Sequence, residues 1–421
     1  MTLNLIFGTL ALLGLALTLW QWLVARRFPL HQRIPQPSTL RSNATEDGST
    51  LPSSVAAPLR RIDNPQLPVT LLKPLKGCDA ATEECLRSWC SQQYGGVTQI
   101  LFGVATEDDP VCGIVRKLLQ EFPGQDAQLV VCGAPHGTNA KVCQLVELER
   151  RASHDIVIVS DADVRVPPDF LANFVAPLGQ VPLTHPMGEG SGVRACGLVC
   201  CFYRLANPTT LAMQWEAISV NADFWSQVLQ SRSLKPIDFA LGAVMGIGRQ
   251  QLREIGGFEA LVDCLADDYQ LGHRIAGRGY RIVLSPVVVE CWSAPMDWTA
   301  VWKHQLRWAR TIRVCQPVPY FFSLLSNATL WPLLWLLFKP SVPVCAFALC
   351  CWLVRIATAL NLEQRLTRDR PRFGRAWLVP LKDLLQSAIW LLAFLGNRVE
   401  WRGRQLRLQR DGTLERLNQA G

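Results

Sequence analysis

Asp161 and Asp163 are separated by one residue and directly follow the apolar run Ile156-Val157-Ile158-Val159. Four consecutive apolar, mostly β-branched residues predict a strand buried on both faces. Two carboxylates at the end of such a strand are costly to leave unpaired. A shared divalent cation removes that cost, because Mg²⁺ and Mn²⁺ take hard oxygen ligands and retain substrate phosphate as another. The carboxyl end of a parallel strand is also where open α/β sheets bind nucleotides. Taken alone, the pattern equally describes an Asp-rich turn.

Three further charged islands accompany it. Glu107-Asp108-Asp109-Pro110 follows a second apolar run ending at Val104. A carboxylate there could accept hydrogen bonds from a base or ribose. Asp109-Pro110 reads equally well as the capped start of a helix. Asp267 and Asp268 stand side by side after the Gly-rich Ile255-Gly256-Gly257-Phe258. Their mutual repulsion would raise one pKa and suit it to work as a general base, whereas a plain helix N-terminus also favours Asp. His304-Gln305-Leu306-Arg307-Trp308 lies within Trp298 to Arg313. Apolar residues at 298, 301, 302, 306, 309 and 312 predict an amphipathic, membrane-surface helix, with Arg307 and Arg310 able to aim at a diphosphate.

These islands need a sheet to position them. Val69-Thr70-Leu71-Leu72, Ile100 to Val104, Leu129 to Val131 and Ile156 to Ser160 predict strands. Ala81 to Ser91, Val111 to Phe122 and Lys141 to Ala152 predict the helices between them. Strands alternating with helices of this length imply βαβ units and a parallel sheet. Later strands are expected at Gly197 to Phe202 and Arg281 to Leu284.

The 421 residues are 49% hydrophobic and only 18% charged, which points to membrane segments. Leu3 to Val24 is long enough to span a bilayer. Arg26, Arg27 and Arg33 follow it and predict that the chain beyond lies in the cytosol. Phe28 to Pro68 reads as a linker, with Ser42 to Ala57 disordered. Pro319 to Phe338 and Val342 to Leu362 read as a membrane hairpin. Trp377 to Leu395 is a fourth apolar segment, but Lys382 and Asp383 interrupt it, so it is expected not to cross fully. The 15 cysteines show no paired metal spacing and read as reduced, buried small hydrophobes of a cytosol-facing protein. The net charge of +8 suits an anionic lipid surface or a phosphate-bearing substrate, with no nucleic acid expected.

The order of the islands resembles the inverting glycosyltransferases of GT-A fold, whose signature is D, D-x-D, D and Q/R-x-x-R-W. More narrowly, the chain is similar to the ceramide glucosyltransferase family and its bacterial hopanoid-glycosylating relatives. Leu72 to Gly77, Asp108-Asp109-Pro110, Asn139-Ala140-Lys141, Asp161 to Val166, Ala266 to Tyr269, His304 to Trp308 and the tail Trp401 to Leu408 carry the resemblance. His304 stands where Gln or Arg is usual, as in the hopanoid branch. Asp163 completes a D-x-D where animal ceramide enzymes tend to have Gly.

The resemblance implies an α/β, Rossmann-like GT-A domain over residues 69–315, an anchor over 1–27, a linker over 28–68, membrane helices over 316–397 and a basic tail over 398–421. It further implies a UDP-sugar donor, a membrane lipid acceptor and Mn²⁺ or Mg²⁺ on Asp161 and Asp163. Asp268 would be the base. Asp267, Arg307, Trp308 and His304 would complete the catalytic set. Lys73, Asp108, Asp109, Asn139, Lys141, Asp161 and Arg310 would bind the donor. A non-catalytic membrane scaffold is disfavoured because all four islands are intact. A processive polymerase would need more membrane helices than this chain offers.

Overall fold

The computed structural model describes residues 2–33, 66–179, 194–371, 373–401, 404–409 and 411–416. Most of the linker expected over 28–68 lies outside them. The strands are β1 (Val69–Pro74), β2 (Thr98–Val104), β3 (Asp126–Val131), β4 (Ile156–Ser160), β5 (Val164–Arg165), β6 (Cys196–Leu205), β7 (Val244–Gly248) and β8 (Arg281–Cys291). They form one sheet in the order β3-β2-β1-β4-β7-β6-β8-β5.

The first four strands are mutually parallel, as their βαβ pattern requires. The sheet as a whole is mixed, which corrects the all-parallel expectation. β7 runs antiparallel to both β4 and β6, and β5 antiparallel to β8. β7 carries two glycines, which lower strand propensity and hide it from pattern reading. Gly246 is needed there, because a Cβ would lie 2.8 Å from the Phe174 ring.

Both faces of the sheet are covered. Val157 and Val159 enter one core with Leu72, Leu101 and Met245, while Ile156 and Ile158 enter the other with Phe102 and Phe174. That two-sided burial accounts for the unbroken apolar run before Asp161.

Among the described residues, three helices are long and apolar enough to cross a bilayer: Thr2–Arg27, Val342–Thr367 and the stretch Phe373–Phe394. The expected Pro319–Phe338 arm of a hairpin is two helical pieces, Pro317–Ser326 and Leu330–Phe338, bent by 56° at a break near Asn327. Asn327 Oδ1 accepts from the backbone N–H of Thr329 and Leu330 at the break.

Lys382 and Asp383 do not interrupt the fourth segment, which is a continuous helix over Leu378–Phe394. Both side chains are buried and paired. Asp383 meets Arg355 at 2.9 Å and Lys382 at 2.9 Å, and Arg355 meets Asp223 at 2.8 Å. Asp223 lies in a helical stretch that was not legible in the sequence: Leu211–Ile218, a π-helical turn over Ser219–Phe224, and Trp225–Leu234. This stretch joins the sheet to the apolar helices. Ser226 accepts from Gln21 at 2.6 Å, and Gln230 donates to the Leu17 carbonyl.

The tail is not only a basic tract. Its described residues form a three-stranded antiparallel sheet, β9 (Arg398–Trp401), β10 (Arg404–Leu408) and β11 (Leu414–Arg416). Leu406, Leu408 and Leu414 pack with Leu265 into a small core beside the acid pair.

Candidate active site

β4 ends at Ser160, and the chain turns through Asp161 and Asp163 into β5. Asp161 N donates to the Ala243 carbonyl, and Trp292 N to the Asp163 carbonyl at 3.0 Å. Beneath the turn lies Lys73, at the end of β1 and fully buried. Its ammonium donates to Ser160 Oγ at 3.1 Å and to the Asp161 carbonyl, and sits over the Trp89 ring. Burial pulls its pKa down to about 8, against the opposing pull of Asp163 and Asp161. Lys73 therefore supports the D-x-D from below and does not line the cleft as a donor-binding group.

Lys141 opens the helix Ala140–Arg150. Its Nζ lies 2.7 Å from Asp161 Oδ1 and 3.1 Å from Asp267 Oδ2. Burial alone would lower this ammonium, but Asp161 and Asp267 outweigh it and hold the pKa above the usual lysine range. Asn139 caps the same helix. Its Oδ1 accepts from the N–H of Lys141 and Val142, and its Nδ2 donates to the Cys264 carbonyl at 2.8 Å. With no exposed surface, Asn139 fixes Lys141 against the 263–266 loop and is not itself placed to touch a donor.

Asp267 and Asp268 begin the helix Asp267–Gly277, where negative charge is favoured. Gly272 lets that helix approach the backbone of Phe239 and Ala240 so closely that no Cβ would fit. The next residues of that strand-bound loop face both carboxylate pairs. Gly242 lies against the Asp268 carboxylate, and Ala243 holds the Asp161 backbone. Asp268 Oδ1 accepts from Tyr269 N at 2.8 Å. Burial and then the Asp267 charge raise the Asp268 pKa to about 6. Asp163 is exposed to solvent, and the neighbouring Asp161 charge raises its pKa.

The structure therefore brings Asp161, Asp163, Lys141, Asp267 and Asp268 together. Other expected residues are placed differently. Asp109 latches the loop after β1: its Oδ1 accepts from Gly77 N at 2.9 Å and Val111 N at 3.1 Å, which makes it the helix-start carboxylate. Asp108 is exposed beside it. Arg310 donates to the Arg398 carbonyl, which ties its guanidinium to the C-terminal sheet.

His304, Arg307 and Trp308 share one face of the helix Trp298–Cys315 by their spacing. The His304 ring meets Trp308 edge-on at 4.7 Å. Its partner Glu216, on the helix Leu211–Ile218, was not found from sequence. An isolated Glu in an apolar stretch was the only signal.

A divalent cation fits these residues in one way. Asp161 and Asp163 offer hard oxygens, and Asp267 Oδ2 is buried without a hydrogen bond, held only by the Lys141 charge. Among the described residues, no three His, Cys, Asp or Glu side chains form a complete cage. Mg²⁺-type sites with one or two carboxylates are completed by substrate phosphates and water, so a cation here would need the donor's diphosphate.

A mixed α/β sheet with carboxylate pairs gathered at its strand ends, and apolar helices on either side in sequence, defines a membrane-associated GT-A glycosyltransferase fold. The chain belongs to glycosyl transferase family 21, whose family model matches residues 53–414. It is 24% identical over 224 residues to ceramide glucosyltransferase 1 of Caenorhabditis elegans, covering 53% of this chain and 45% of that protein. It is 32% identical over 138 residues to the ceramide glucosyltransferase of Candida albicans, covering 30% and 25%. The matches thus span less than half of either relative. Ceramide glucosyltransferase 3 of C. elegans is 22% identical over 362 residues, 82% of this chain and 74% of that one. Among solved structures, a Pyrobaculum calidifontis mannosyltransferase in complex with GDP-Man and Mn²⁺ aligns with 92% of this chain and 98% of its own, at 19% identity and a TM-score of 0.45.

Proposed function

We propose that the protein transfers a hexose from a UDP-sugar to the hydroxyl of a membrane lipid, with inversion at the sugar's C1. Family membership favours UDP-glucose and ceramide as the specific pair. The observation that carries the reading is the convergence of Asp161, Lys141 and Asp267 in one ion-paired cluster at the strand ends, with Asp268 the residue next to it.

In this reading Asp268 takes the proton from the lipid hydroxyl as its oxygen attacks C1. The C1–O bond to the diphosphate breaks, and its electron pair leaves on UDP. Attack opposite the leaving group inverts the anomeric centre. Lys141 and Arg307 offset the charge gathering on the leaving diphosphate. Mn²⁺ or Mg²⁺, held by Asp161 and Asp163, would supply Lewis-acid stabilisation of the same charge when bound. A pKa raised to about 6 suits Asp268 to the task, since a base works best near the ambient pH.

Arg26 and Arg27 end the first helix, which supports a cytosolic catalytic domain. The apolar helices would present an acceptor already confined to the bilayer. His304, shared with the hopanoid branch, favours a hopanoid acceptor as a second reading.

The test is incubation of membranes containing the protein with a panel of labelled UDP-sugars, with and without EDTA, and mass spectrometry of the lipids. A β-glycosylated lipid from one donor, lost with EDTA and restored by Mn²⁺ or Mg²⁺, is expected. No glycolipid with any donor contradicts the reading, and turnover indifferent to EDTA contradicts the metal.

A further inference from the structure

Glu216 is the most deeply buried carboxylate near the site, at 1% exposure. Its Oε1 accepts from Gln305 Nε2 at 2.8 Å and pairs with His304 Nδ1 at 2.6 Å. Its Oε2 has no hydrogen-bond partner. Burying a carboxylate with one oxygen unsatisfied is costly, and sites that retain such a group have a use for it.

The contacts beyond it run in one direction. His304 meets Trp308 edge-on at 4.7 Å, Trp308 lies 6.3 Å from Phe224, and Phe224 lies 5.5 Å from Tyr203. Tyr203 is near the carboxyl end of β6, paired with Val289 of β8, two residues before Cys291 and the D-x-D contact at Trp292. No described residue hydrogen-bonds its hydroxyl. Burial above all, with Cys291, Asp268, Asp161 and Glu216 adding to it, keeps this phenol protonated. The row therefore begins at a buried carboxylate and ends at a phenol on β6, beside the β8 segment that leads to Trp292 and the D-x-D turn.

The far side of the same elements faces the apolar helices. Asp223, next to Phe224, pairs with Arg355, and Ser226 with Gln21. Aromatic faces suit the apolar body of an amphiphile, and a phenol at the end suits its hydroxyl head.

We propose that Glu216 is a positioning residue for the acceptor side of the site. By holding His304 it fixes the edge of Trp308, and so the wall Trp308–Phe224–Tyr203 along which a hydroxyl-bearing lipid reaches Asp268. This rests on the glycosyl-transfer reading above.

The test uses the full-length protein in membranes, with the donor and lipid identified by the panel. Glu216→Ala should raise the acceptor KM about tenfold, and in a His304→Ala background it should add little, because neighbours acting through one contact are not additive. Affinity for the UDP-sugar should stay near that of the parent. Glu216→Gln keeps the accepting oxygen and should restore most of the acceptor affinity. Tyr203→Phe removes only the hydroxyl and provides an arm that does not depend on the buried site tolerating Ala. It should raise the acceptor KM with donor affinity kept.

An unchanged acceptor KM in Tyr203→Phe, or a Glu216→Ala effect undiminished in the His304→Ala background, overturns the proposal. A parent protein that transfers no sugar overturns the underlying reading instead.

Discussion

Lys141 Nζ lies 2.7 Å from Asp161 Oδ1, so an ammonium at a helix start clasps the first carboxylate of the D-x-D. The same nitrogen reaches Asp267, which makes Lys141 the link between the donor end and the base end of the cluster. Lys141→Met keeps the length and removes the charge. A hydrogen bond to a charged group contributes about 1.5–3 kcal/mol, so UDP-sugar affinity should fall roughly 10- to 150-fold. Calorimetric titration of the variant with donor reads this directly, and parent-like affinity contradicts the clasp.

The pH dependence follows from Asp268. Its folded-state pKa is raised to about 6, so the base is increasingly protonated below that pH and transfer should fall tenfold per pH unit. Asp267 is the neighbouring charge that raises it. Asp267→Asn should therefore move the acid limb of the rate profile to lower pH, whereas Lys141→Met, which removes a lowering charge, should move it higher. Stability runs in the opposite direction, falling as pH rises through this range. A carboxylate raised on folding binds its proton more tightly in the native state, so this cost is absent at low pH and fully present above about pH 6. An acid limb that stays in place in both variants excludes Asp268 as its source.

Gly242 sets the position of that base. A Cβ at 242 would lie 2.8 Å from Asp268 Oδ2, so Gly242→Ala must displace the carboxylate. A displacement on the order of 1 Å can cost about 10²-fold in rate, while donor affinity should hold. Equal loss of both in paired rate and binding measurements contradicts this account.

Much of this was legible locally. The run 156–159 gave away β4 because burial on both faces leaves no polar position in it. Asp267 and Asp268 were visible as neighbours. What the residues do was less visible where the partner is distant in sequence. The resemblance implies that Asp109 and Asn139 bind the donor, and the structure uses them as a latch and a cap. Lys382 and Asp383 look like a break in an apolar helix, until Asp223 arrives from about 160 residues earlier to complete their pairing. The stretch 211–234 shows no clean helical period because it is buried on several sides and passes through a π-helical turn.

That buried charge cluster is a test of the membrane-side packing. Arg355 pairs with both Asp223 and Asp383, and Thr329 Oγ1 donates to Asp383 at 2.6 Å. Removing one member of a buried pair costs about 3–5 kcal/mol, because a charge is left unmatched. Arg355→Met should lower the thermal midpoint in detergent markedly. Adding Asp223→Asn, which restores neutrality, should recover part of the loss. An unchanged midpoint for Arg355→Met contradicts the network.

The central claim is that Asp268 accepts the acceptor's proton while Asp161, Asp163 and Lys141 hold the donor. The most direct measurement pairs UDP-sugar affinity with the single-turnover transfer rate in Asp268→Asn, which keeps the shape and removes the proton acceptor. The account predicts a rate lower by about 10²–10⁴-fold with donor affinity close to the parent's. Full transfer by Asp268→Asn contradicts it, and if Asp267→Asn is then inactive the base is the neighbouring carboxylate.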